Sequence, residues 1–468
     1  MGVAVSSWQL ARTVSSMGQL GVVSGTGIDV VVSRRLQAGD PGGHMRRALH
    51  AFPFPEIGQR IIDQHFHPEG LRPNEPYRRI PMWTARPNVA QQQLSVAANF
   101  VEIWLAKEGH GGVVGINYLE KIQLPTLPSL YGAMLAGVDY ILMGAGIPRE
   151  IPGVLDRLAE NLDVELGLHV DGASAEDAFK LRFDPHAVFG ETLPKARRPQ
   201  FVAIVASTVL ATTMARKSTG RVDGFIVEGP TAGGHNAPPR GPLTLSERGE
   251  PVYGARDVVD LEGIRKLGPP FWLAGSYASP EKLREAIALG AAGVQVGTAF
   301  AFSQESGICE EWKRTVIAKA RLGKVGVFTD PIASPTGFPF KVVRLEGTLS
   351  ERDVYEARPR NCDIGYLRHA YKEADGSLGY RCPAEPVEQY LRKGGTAEEA
   401  AGRKCLCNCL LANVGLEQHQ ESGYDEKAML TSGDDIDIVR LFLRPGEESY
   451  SAQDVVRYMT GEGAPVTR

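Results

Sequence analysis

The chain has 468 residues, 43% of them hydrophobic, and its 51 basic and 55 acidic residues give a net charge of −4. This length is enough to bury a full-sized core, and the balanced charge without long runs of one sign does not indicate a nucleic-acid-binding surface. No apolar stretch reaches the ~18 residues that a membrane span requires, and no signal sequence opens the chain. We therefore expect a soluble, cytoplasmic protein.

Short apolar runs that end in small residues recur along the chain, and each is followed by a segment of helical periodicity. This alternation is typical of βα units around a parallel sheet. The predicted strands are Met1–Val5, Leu20–Val23, Val113–Asn117, Tyr140–Met143, Phe201–Val205, Gly224–Val227, Phe271–Ala274 and Val294–Val296. Eight such units favour an α/β fold of the closed (β/α)8 type, the TIM barrel, over an open doubly wound sheet, which the count alone leaves as an alternative.

The first predicted strand is followed at once by a helix-like segment, so either it is very short or the barrel starts upstream of Met1. Two long insertions interrupt the βα alternation, at residues 40–90 and 163–199. Long insertions of this kind are usually lids or binding loops, and we expect the first to cover the barrel mouth. After residue 322 the alternation stops, which predicts a barrel domain of residues 1–322 and a C-terminal extension of residues 323–468 packed on it.

The most informative motif is Glu-Gly-Pro-Thr-Ala-Gly-Gly-His at residues 228–235, directly after a predicted strand. The carboxyl end of a barrel strand faces the active site, and adjacent glycines let the backbone approach a planar ligand closely. His235 can act there as an acid, a base or a hydrogen-bond donor. Taken alone, the motif is also compatible with a turn that carries a surface histidine.

Two further glycine-containing segments end the last two predicted strands, Gly275-Ser276 and Gly297-Thr298. In barrels these two strand ends commonly form a phosphate site from backbone N–H groups and a helix N-terminus. Either segment alone is equally compatible with an ordinary tight βα turn. Because both occur in register, we predict a phosphate site.

These residues resemble the nitronate monooxygenase (2-nitropropane dioxygenase-like) family, whose relatives include FMN-dependent enoyl-acyl-carrier-protein reductases. The resemblance covers about residues 1–302, and its order and spacing are specific for the family rather than for one reaction within it. The segments that carry it are Met1–Gly25, Gly115–Asn117, Val205–Ser207, Ala232–His235, Gly275 and Gly297–Thr298.

The resemblance implies noncovalent FMN in a barrel of residues 1–322, with His235 at the position of the family's active-site histidine. The implied phosphate ligands are Gly275, Ser276, Gly297 and Thr298; the implied neighbours of the flavin ring are Gly2, Asn117, Gly233 and Gly234, with Ser207 also at the cofactor. Two features depart from the family pattern: Asn236–Pro239 replaces a small, glycine-containing continuation, and the insertions and the Cys-rich tail exceed those of the compact members. Both departures leave the substrate undefined.

Two reactions suit these residues. Oxidation of a nitroalkane or nitronate with O2 begins, for the nitroalkane, with removal of a proton next to the nitro group, for which a neutral imidazole is a suitable base. In an NAD(P)H-dependent enoyl-acyl-carrier-protein reductase of fatty-acid or polyketide type, the same histidine would instead donate a hydrogen bond or a proton. A non-redox isomerase or lyase that binds a substrate phosphate is the alternative of another class.

The partners that follow are a small-molecule substrate, either a nitronate or an enoyl thioester, an acyl carrier protein in the reductase interpretation, and a second copy of the chain as a homodimer. We expect no membrane and no nucleic acid among them.

Five of the six cysteines follow residue 361, namely Cys362, Cys382, Cys405, Cys407 and Cys409. The crowding of five cysteines near the C-terminal end of a chain without a secretion signal argues against a disulfide framework. Four thiolates could hold zinc, yet the C-x-C spacing is not the usual C-x2-C pair, and His65 and His67 are better explained by a solvated lid. We therefore predict no metal and a structural role for the cysteines, none of which lies at a predicted strand end.

Overall fold

A curled parallel sheet lies at the centre of the computed structural model, which describes residues 2–174 and 176–462. The strands are β1 (Gly21–Ser24), β2 (Val114–Leu119), β3 (Tyr140–Gly144), β4 (Val164–Gly167), β5 (Val170–Asp171), β6 (Lys180–Phe183), β7 (Gln200–Val205), β8 (Gly224–Glu228), β9 (Phe271–Ala274), β10 (Gly293–Gln295), β11 (Gly326–Asp330), β12 (Phe340–Arg344), β13 (His369–Lys372) and β14 (Leu378–Arg381). The helices are α1 (Trp8–Ser16), α2 (Ile28–Gln37), α3 (His44–His50), α4 (Pro55–His65), α5 (Val89–Lys107), α6 (Thr126–Leu135), α7 (Ile151–Ala159), α8 (Pro185–Phe189), α9 (Thr208–Lys217), α10 (Leu261–Arg265), α11 (Pro280–Ala288), α12 (Thr298–Ala301), α13 (Glu310–Arg321), α14 (Arg352–Glu356), α15 (Val387–Arg392), α16 (Ala397–Ala400), α17 (Leu406–Ala412) and α18 (Ala452–Thr460), with 3-10 turns at Pro41–Gly43, Ala255–Asp257 and Ile436–Phe442.

The main sheet has seven strands in the order β1-β2-β3-β7-β8-β9-β10, and every neighbouring pair is parallel. Apolar side chains on its inner face form a buried cluster of Leu142, Val202, Ile226 and Ala274. The sheet curls, because Val22 of β1 and Val294 of β10 line the same central cavity. The predicted α/β fold with a barrel-like parallel sheet is thereby confirmed.

The first predicted strand is not formed in the described residues, and Met1 lies outside them. Residues 3–5 turn instead, with the Val5 N–H donating to the Gly2 carbonyl over 3.3 Å and Ala4 at a φ of 51°. Helix α1 then begins at Trp8, so no extended segment remains to pair with a neighbour. The sheet consequently has seven strands where we predicted eight, and it is open between β1 and β10.

The other seven predicted sheet strands are present, with ends that differ by at most two residues. Their apolar runs are continuous rather than alternating, because strands of a parallel sheet are buried on both faces. The insertion at residues 163–199 contains a further strand, β4, which pairs antiparallel with β6 outside the main sheet.

The insertion at residues 40–90 is a packed helical unit for much of its length. Helices α3 and α4 contact each other and the neighbouring helices α2 and α5. His65 is 8% exposed, and its Nδ1 lies 3.0 Å from the Ser33 hydroxyl. The prediction of a solvated lid is therefore wrong for His65, whereas His67 is exposed.

The C-terminal extension forms a hairpin of β11 and β12 and a small sheet in which β13 joins β14 and β5. Its side chains continue the core of the preceding residues, since Ile317 of α13 lies in one buried cluster with Val343, Leu430 and Tyr450. The contacts agree with an extension packed on the barrel, while the domain boundary at residue 322 stays a prediction. Within residues 2–174 and 176–462, the helices are too short or too polar to cross a membrane.

Removing the carboxylate of Glu426 should strongly destabilise the protein. Arg358 and Glu426 form a buried pair with side chains 1% and 0% exposed, and Arg358 Nε lies 2.7 Å from Oε1. Glu426→Gln leaves a buried guanidinium without its counter-charge, so we expect the free energy of unfolding to fall by about 3–5 kcal/mol in denaturant titrations. The control is Glu356→Gln, which breaks the exposed pair with Arg352 and should change nothing measurable. Equal effects of the two substitutions would contradict the buried pair.

Candidate active site

A cavity of about 720 Å³ lies inside the curled sheet; the carboxyl ends of the strands line it, and it extends to the amino ends of β1, β3 and β10. This volume lies in the usual range of small-molecule and cofactor sites, roughly 300–1,000 Å³. The cavity is lined by most of the residues that the sequence singles out: Gly2, Asn117, Gly233, Gly234, His235, Gly275, Ser276, Gly297 and Thr298. Residues far apart in the chain are thus brought together as the parallel βα arrangement requires.

Ser207 is the predicted cofactor residue that does not line the cavity; its neighbour Ala206 does. The Ser207 side chain instead caps α9, because its hydroxyl oxygen accepts a hydrogen bond from the Leu210 N–H over 3.0 Å. A serine between a strand and a helix is a common N-cap, and this structural role accounts for its position.

The loop that carries His235 is held by the C-terminal extension on two sides. The Lys341 N–H donates to the Gly234 carbonyl and the Asn236 N–H donates to the Pro339 carbonyl, each over 2.9 Å. On the other side, the Gly234 N–H donates to the Thr431 hydroxyl over 3.0 Å. The extension therefore forms part of the site.

The His235 ring is fixed by one polar and one aromatic contact. Its Nε2 lies 2.7 Å from the Ser334 hydroxyl, and its ring centroid is 4.9 Å from that of Phe340 in an edge-to-face arrangement. Burial lowers the pKa of His235 to about 3. The imidazole is consequently neutral at physiological pH, which is the form that can accept a proton or share a hydrogen bond.

Glu228 is a second titratable group of the cavity, at the last residue of β8. Burial raises its pKa to about 7. Among the described residues no side chain or backbone group hydrogen-bonds to its carboxylate, and the nearby Lys341 ammonium is already bonded to Thr329 and Asp434 at 2.7 Å each. Two groups with displaced pKa values therefore share the site, a frequent property of catalytic centres.

The predicted phosphate residues form an open cradle. Gly275 has a φ of +105°, and a Cβ there would lie 2.8 Å from the Thr231 hydroxyl, so this position requires glycine. Ser276 has a φ of 59°, a rare conformation for a non-glycine residue. At Gly297, by contrast, a Cβ would meet nothing within 4 Å, so the backbone faces free space.

The extension also reaches this cradle, which the sequence did not indicate. The Thr298 hydroxyl accepts a hydrogen bond from the Gly433 N–H over 2.9 Å, and Asp435 lines the cavity beside it. Burial raises the pKa of Asp435. At the predicted phosphate position the Thr298 side chain is already hydrogen-bonded to the extension, which leaves backbone groups as the expected phosphate ligands.

These observations fit a bound flavin mononucleotide. The backbone of Gly297 faces free space, and Gly275 lines the same cavity, which leaves room for one phosphate. The cavity continues past Asn117 to Gly234, with room for a planar ring. Holding the phosphate would fall to the backbone of Gly275, Ser276, Gly297 and Thr298.

The five cysteines of the extension are free thiols, three of them buried. Burial raises the pKa of Cys382 and of Cys407, so these thiols are protonated and poor nucleophiles. In the described part of the chain, no group of three or more His, Cys, Asp or Glu residues is arranged to hold a metal ion. The structural role of the cysteines stays a prediction.

Fold and site together define an α/β-barrel protein with a ligand cavity at its strand ends. The model of the nitronate monooxygenase family matches residues 190–329, the stretch that contains β7 to β10 and His235. The resemblance predicted from the sequence is thereby confirmed for this stretch.

A curated relative is (3aS,4S,5R,7aS)-5-hydroxy-7a-methyl-1-oxo-octahydro-1H-indene-4-carboxyl-CoA dehydrogenase of Mycobacterium tuberculosis. It is 27% identical over 231 residues, which are 46% of this chain and 60% of the relative. The matched region thus spans less than two thirds of that protein. The family match and this relative both point to an oxidoreductase enzyme.

Similar solved structures include FabK from Thermotoga maritima, with 15% identity, a TM-score of 0.45, and coverage of 98% of this chain and 89% of that chain. Nitroalkane oxidase from Streptomyces ansochromogenes has 14% identity and a TM-score of 0.45, with 99% and 93% covered. The enoyl reductase domain of MlnA from Bacillus amyloliquefaciens has 12% identity and a TM-score of 0.46, with 98% and 92% covered.

Gly297→Val tests the cradle. The side chain would enter free space at a φ of −119°, which valine tolerates, so folding should persist while the branched group occupies the position expected for the phosphate. We expect FMN content after purification to fall at least tenfold with a melting temperature close to wild type. The matched control is Gly326→Val, which also meets nothing within 4 Å but lies on β11 outside the cavity. An FMN content equal to that of the wild type in the Gly297→Val variant would contradict the predicted phosphate site at Gly297.

Proposed function

We propose that this protein is an FMN-dependent oxidoreductase that oxidises alkyl nitronates and nitroalkanes with O2, in the manner of a nitronate monooxygenase. The observation that carries the proposal is that neutral His235 and the glycine cradle of residues 275 and 297 line one cavity. The family match over the same residues supports it. The proposed location is the cytoplasm, and the proposed assembly is a homodimer.

FMN would supply the two-electron oxidation of the substrate and the return of those electrons to oxygen. The protein contributes position and proton transfer. Neutral His235 accepts the proton from the carbon next to the nitro group, and Ser334 holds the ring in place through Nε2. The apolar inner face of the sheet, with Leu142, Val202 and Ile226, gives the cavity a wall that offers no hydrogen bonds to water.

One observation favours a second function. The curated relative is named as a dehydrogenase of a carboxyl-CoA compound, so a thioester substrate deserves a direct test. In that case the protein would be an FMN- and NAD(P)H-dependent enoyl reductase acting on a CoA or acyl-carrier-protein thioester. His235 would then donate a hydrogen bond or proton to the substrate. Anaerobic mixing with NADH, NADPH or a nitronate distinguishes the two, because only the true reductant bleaches the flavin rapidly.

Replacing His235 by asparagine should separate two steps of nitroalkane oxidation. Asparagine keeps a polar group but removes the proton acceptor, so turnover of a neutral nitroalkane should fall by roughly 10²–10⁴-fold. A preformed nitronate has already lost that proton, and its oxidation should fall much less, with unchanged FMN content. The control is His186→Asn on the exposed side of α8. Equal losses on both substrates would show that His235 positions the substrate and takes no proton.

The ionisation of Glu228 should govern the pH dependence with a nitronate. Because its pKa is raised to about 7, the carboxyl is neutral below that pH and negatively charged above it. The negative charge repels an anionic nitronate, so kcat/KM should decrease as pH rises through about 7. His235, with its pKa lowered to about 3, should add no transition between pH 5 and 9. Glu228→Gln should remove the decrease; an unchanged profile in this variant would contradict the assignment.

A further inference from the structure

The hydroxyl group that contacts His235 belongs to a turn of the C-terminal extension, residues 330–336, which we call the Ser334 turn. Ser334 is 0% exposed, and its hydroxyl oxygen lies 2.7 Å from His235 Nε2. A side chain fixes its partner only as firmly as its own backbone is held. The contacts that hold the Ser334 turn therefore determine where the His235 ring lies.

The beginning of the turn is closed by the last residue of β11. The Asp330 carboxylate accepts hydrogen bonds from the Ile332 and Ala333 N–H groups over 2.9 and 3.0 Å. The carbonyl groups of the turn, by contrast, are bonded from outside it, by a segment of the extension about 70 residues further along the chain. The position of the turn thus depends on that segment.

Residues 402–404 are this segment, and their backbone lies directly against the turn. The Lys404 N–H donates to the Ala333 carbonyl over 2.8 Å. A Cβ built on Gly402 would lie 2.5 Å from Ile332 Cδ1, and the φ of Gly402 is +70°, so this close approach requires glycine. The two backbone segments are consequently in contact on either side of residue 403.

Arg403 makes two further hydrogen bonds to the turn. Its Nη1 donates to the Ile332 carbonyl over 2.8 Å and to the Ser334 carbonyl over 2.7 Å. The other end of the guanidinium is fixed, because Nε donates to the Glu399 carbonyl over 3.1 Å. Charged donors form hydrogen bonds roughly twice as strong as neutral ones. Arg403 therefore restrains the backbone on both sides of Ala333.

We propose that Arg403 is a positioning residue of the active site, which holds the Ser334 hydroxyl where His235 needs it. Arg403 does not line the large cavity, so it acts on the imidazole through Ser334. The inference rests on the proposed function, because it takes His235 as the group that accepts the proton.

Replacing Arg403 by methionine keeps an unbranched apolar stem and removes the donors. A displacement of about 1 Å in a reacting geometry can cost about 10²-fold in rate, so turnover of a neutral nitroalkane should fall by about 10- to 100-fold. Oxidation of a preformed nitronate should fall much less, since its proton is already gone. Arg403→Lys should recover most of the loss, because a single nitrogen makes both contacts with the turn and the lysine ammonium can replace it.

The matched control is Arg368→Met, in the same extension. The Arg368 guanidinium also donates to two backbone carbonyls, those of Gly365 over 3.2 Å and Trp83 over 2.6 Å, but Arg368 does not line the large cavity. This variant should lower the melting temperature, as Arg403→Met does. Its ratio of nitroalkane to nitronate turnover should stay at the wild-type value, which a general loss of stability in Arg403→Met would also predict for that variant.

A double-mutant cycle tests whether Arg403 acts through Ser334. If it does, Arg403→Met should lower nitroalkane turnover by less than about twofold in the Ser334→Ala background, because the contact that it supports is already absent. Losses that multiply in the double variant would show that Arg403 acts independently of Ser334, and they would overturn the proposal.

A second readout on the holoenzyme needs no turnover. The NMR chemical shifts of the His235 ring nitrogen atoms, assigned by their loss in His235→Asn, report the hydrogen bond with Ser334. We expect the same direction of change in Ser334→Ala and Arg403→Met, and wild-type shifts in Arg368→Met. Melting temperature and FMN content show which variants are folded. If Arg403→Met is not folded, Arg403→Gln, which keeps one donor nitrogen, takes its place in every comparison.

The outcomes distinguish this inference from the proposed function. Ring signals that change with Arg403 in a protein that oxidises neither nitroalkane nor nitronate support the positioning role and refute the proposed reaction. Wild-type ring signals together with a wild-type ratio of nitroalkane to nitronate turnover in the folded Arg403 variant overturn the positioning role and leave the proposed reaction intact.

Discussion

Backbone pairing between the His235 loop and the start of β12 is the constraint on which the site depends. Glycine-rich loops have large conformational freedom, and two glycines precede His235. The two hydrogen bonds to Pro339 and Lys341 remove that freedom and orient the histidine relative to the sheet. Without the extension, the seven strands would still form a cavity, but the His235 side chain would have no defined position in it.

Desolvation sets the electrostatic character of the cavity. It disfavours the charged form of every group, so it lowers the pKa of His235 and raises that of Glu228. The two groups are therefore both neutral at slightly acidic pH, and charge appears on Glu228 first as pH rises. An anionic substrate gains from this arrangement, because the cavity then carries no negative charge of its own at the carboxyl end of β8.

The sequence predicted the parallel strands and most cavity residues because their signals are local. A buried parallel strand is a continuous apolar run, and the glycines at residues 275 and 297 follow such runs directly. The prediction of the first strand was wrong because no pattern of side-chain types reveals the turn at Ala4. Ser207 follows a strand in the same way as a ligand residue would, but its hydroxyl caps a helix.

The contributions of the extension could not be predicted, since they are long-range contacts. Ser334 lies 99 residues after His235, and Thr431 lies 197 residues after Gly234. Neither stands in a motif, and only pairing of distant backbone segments brings them to the cavity. The insertion at residues 40–90 contributes no residue to the lining of the large cavity, and its expected position over the barrel mouth stays a prediction.

The contact of His235 with Ser334 also bears on the choice between base and hydrogen-bond donor. The Ser334 oxygen lies 2.8 Å from the Thr336 hydroxyl and accepts from the Thr336 N–H over 3.2 Å. If Nε2 carries the ring hydrogen, it donates a hydrogen bond to the Ser334 oxygen, and the Ser334 hydroxyl donates to Thr336. Nδ1 is then unprotonated and can take a proton from the substrate. If Ser334 instead donates to Nε2, Thr336 donates to Ser334, and Nδ1 carries a hydrogen that it can donate. Interconverting these states requires rotation of the two hydroxyl groups and exchange of the ring proton between Nε2 and Nδ1, and neither requires a change in the fold. The same scaffold can therefore serve proton abstraction or hydrogen-bond donation, and the substrate that enters decides which tautomer is stabilised.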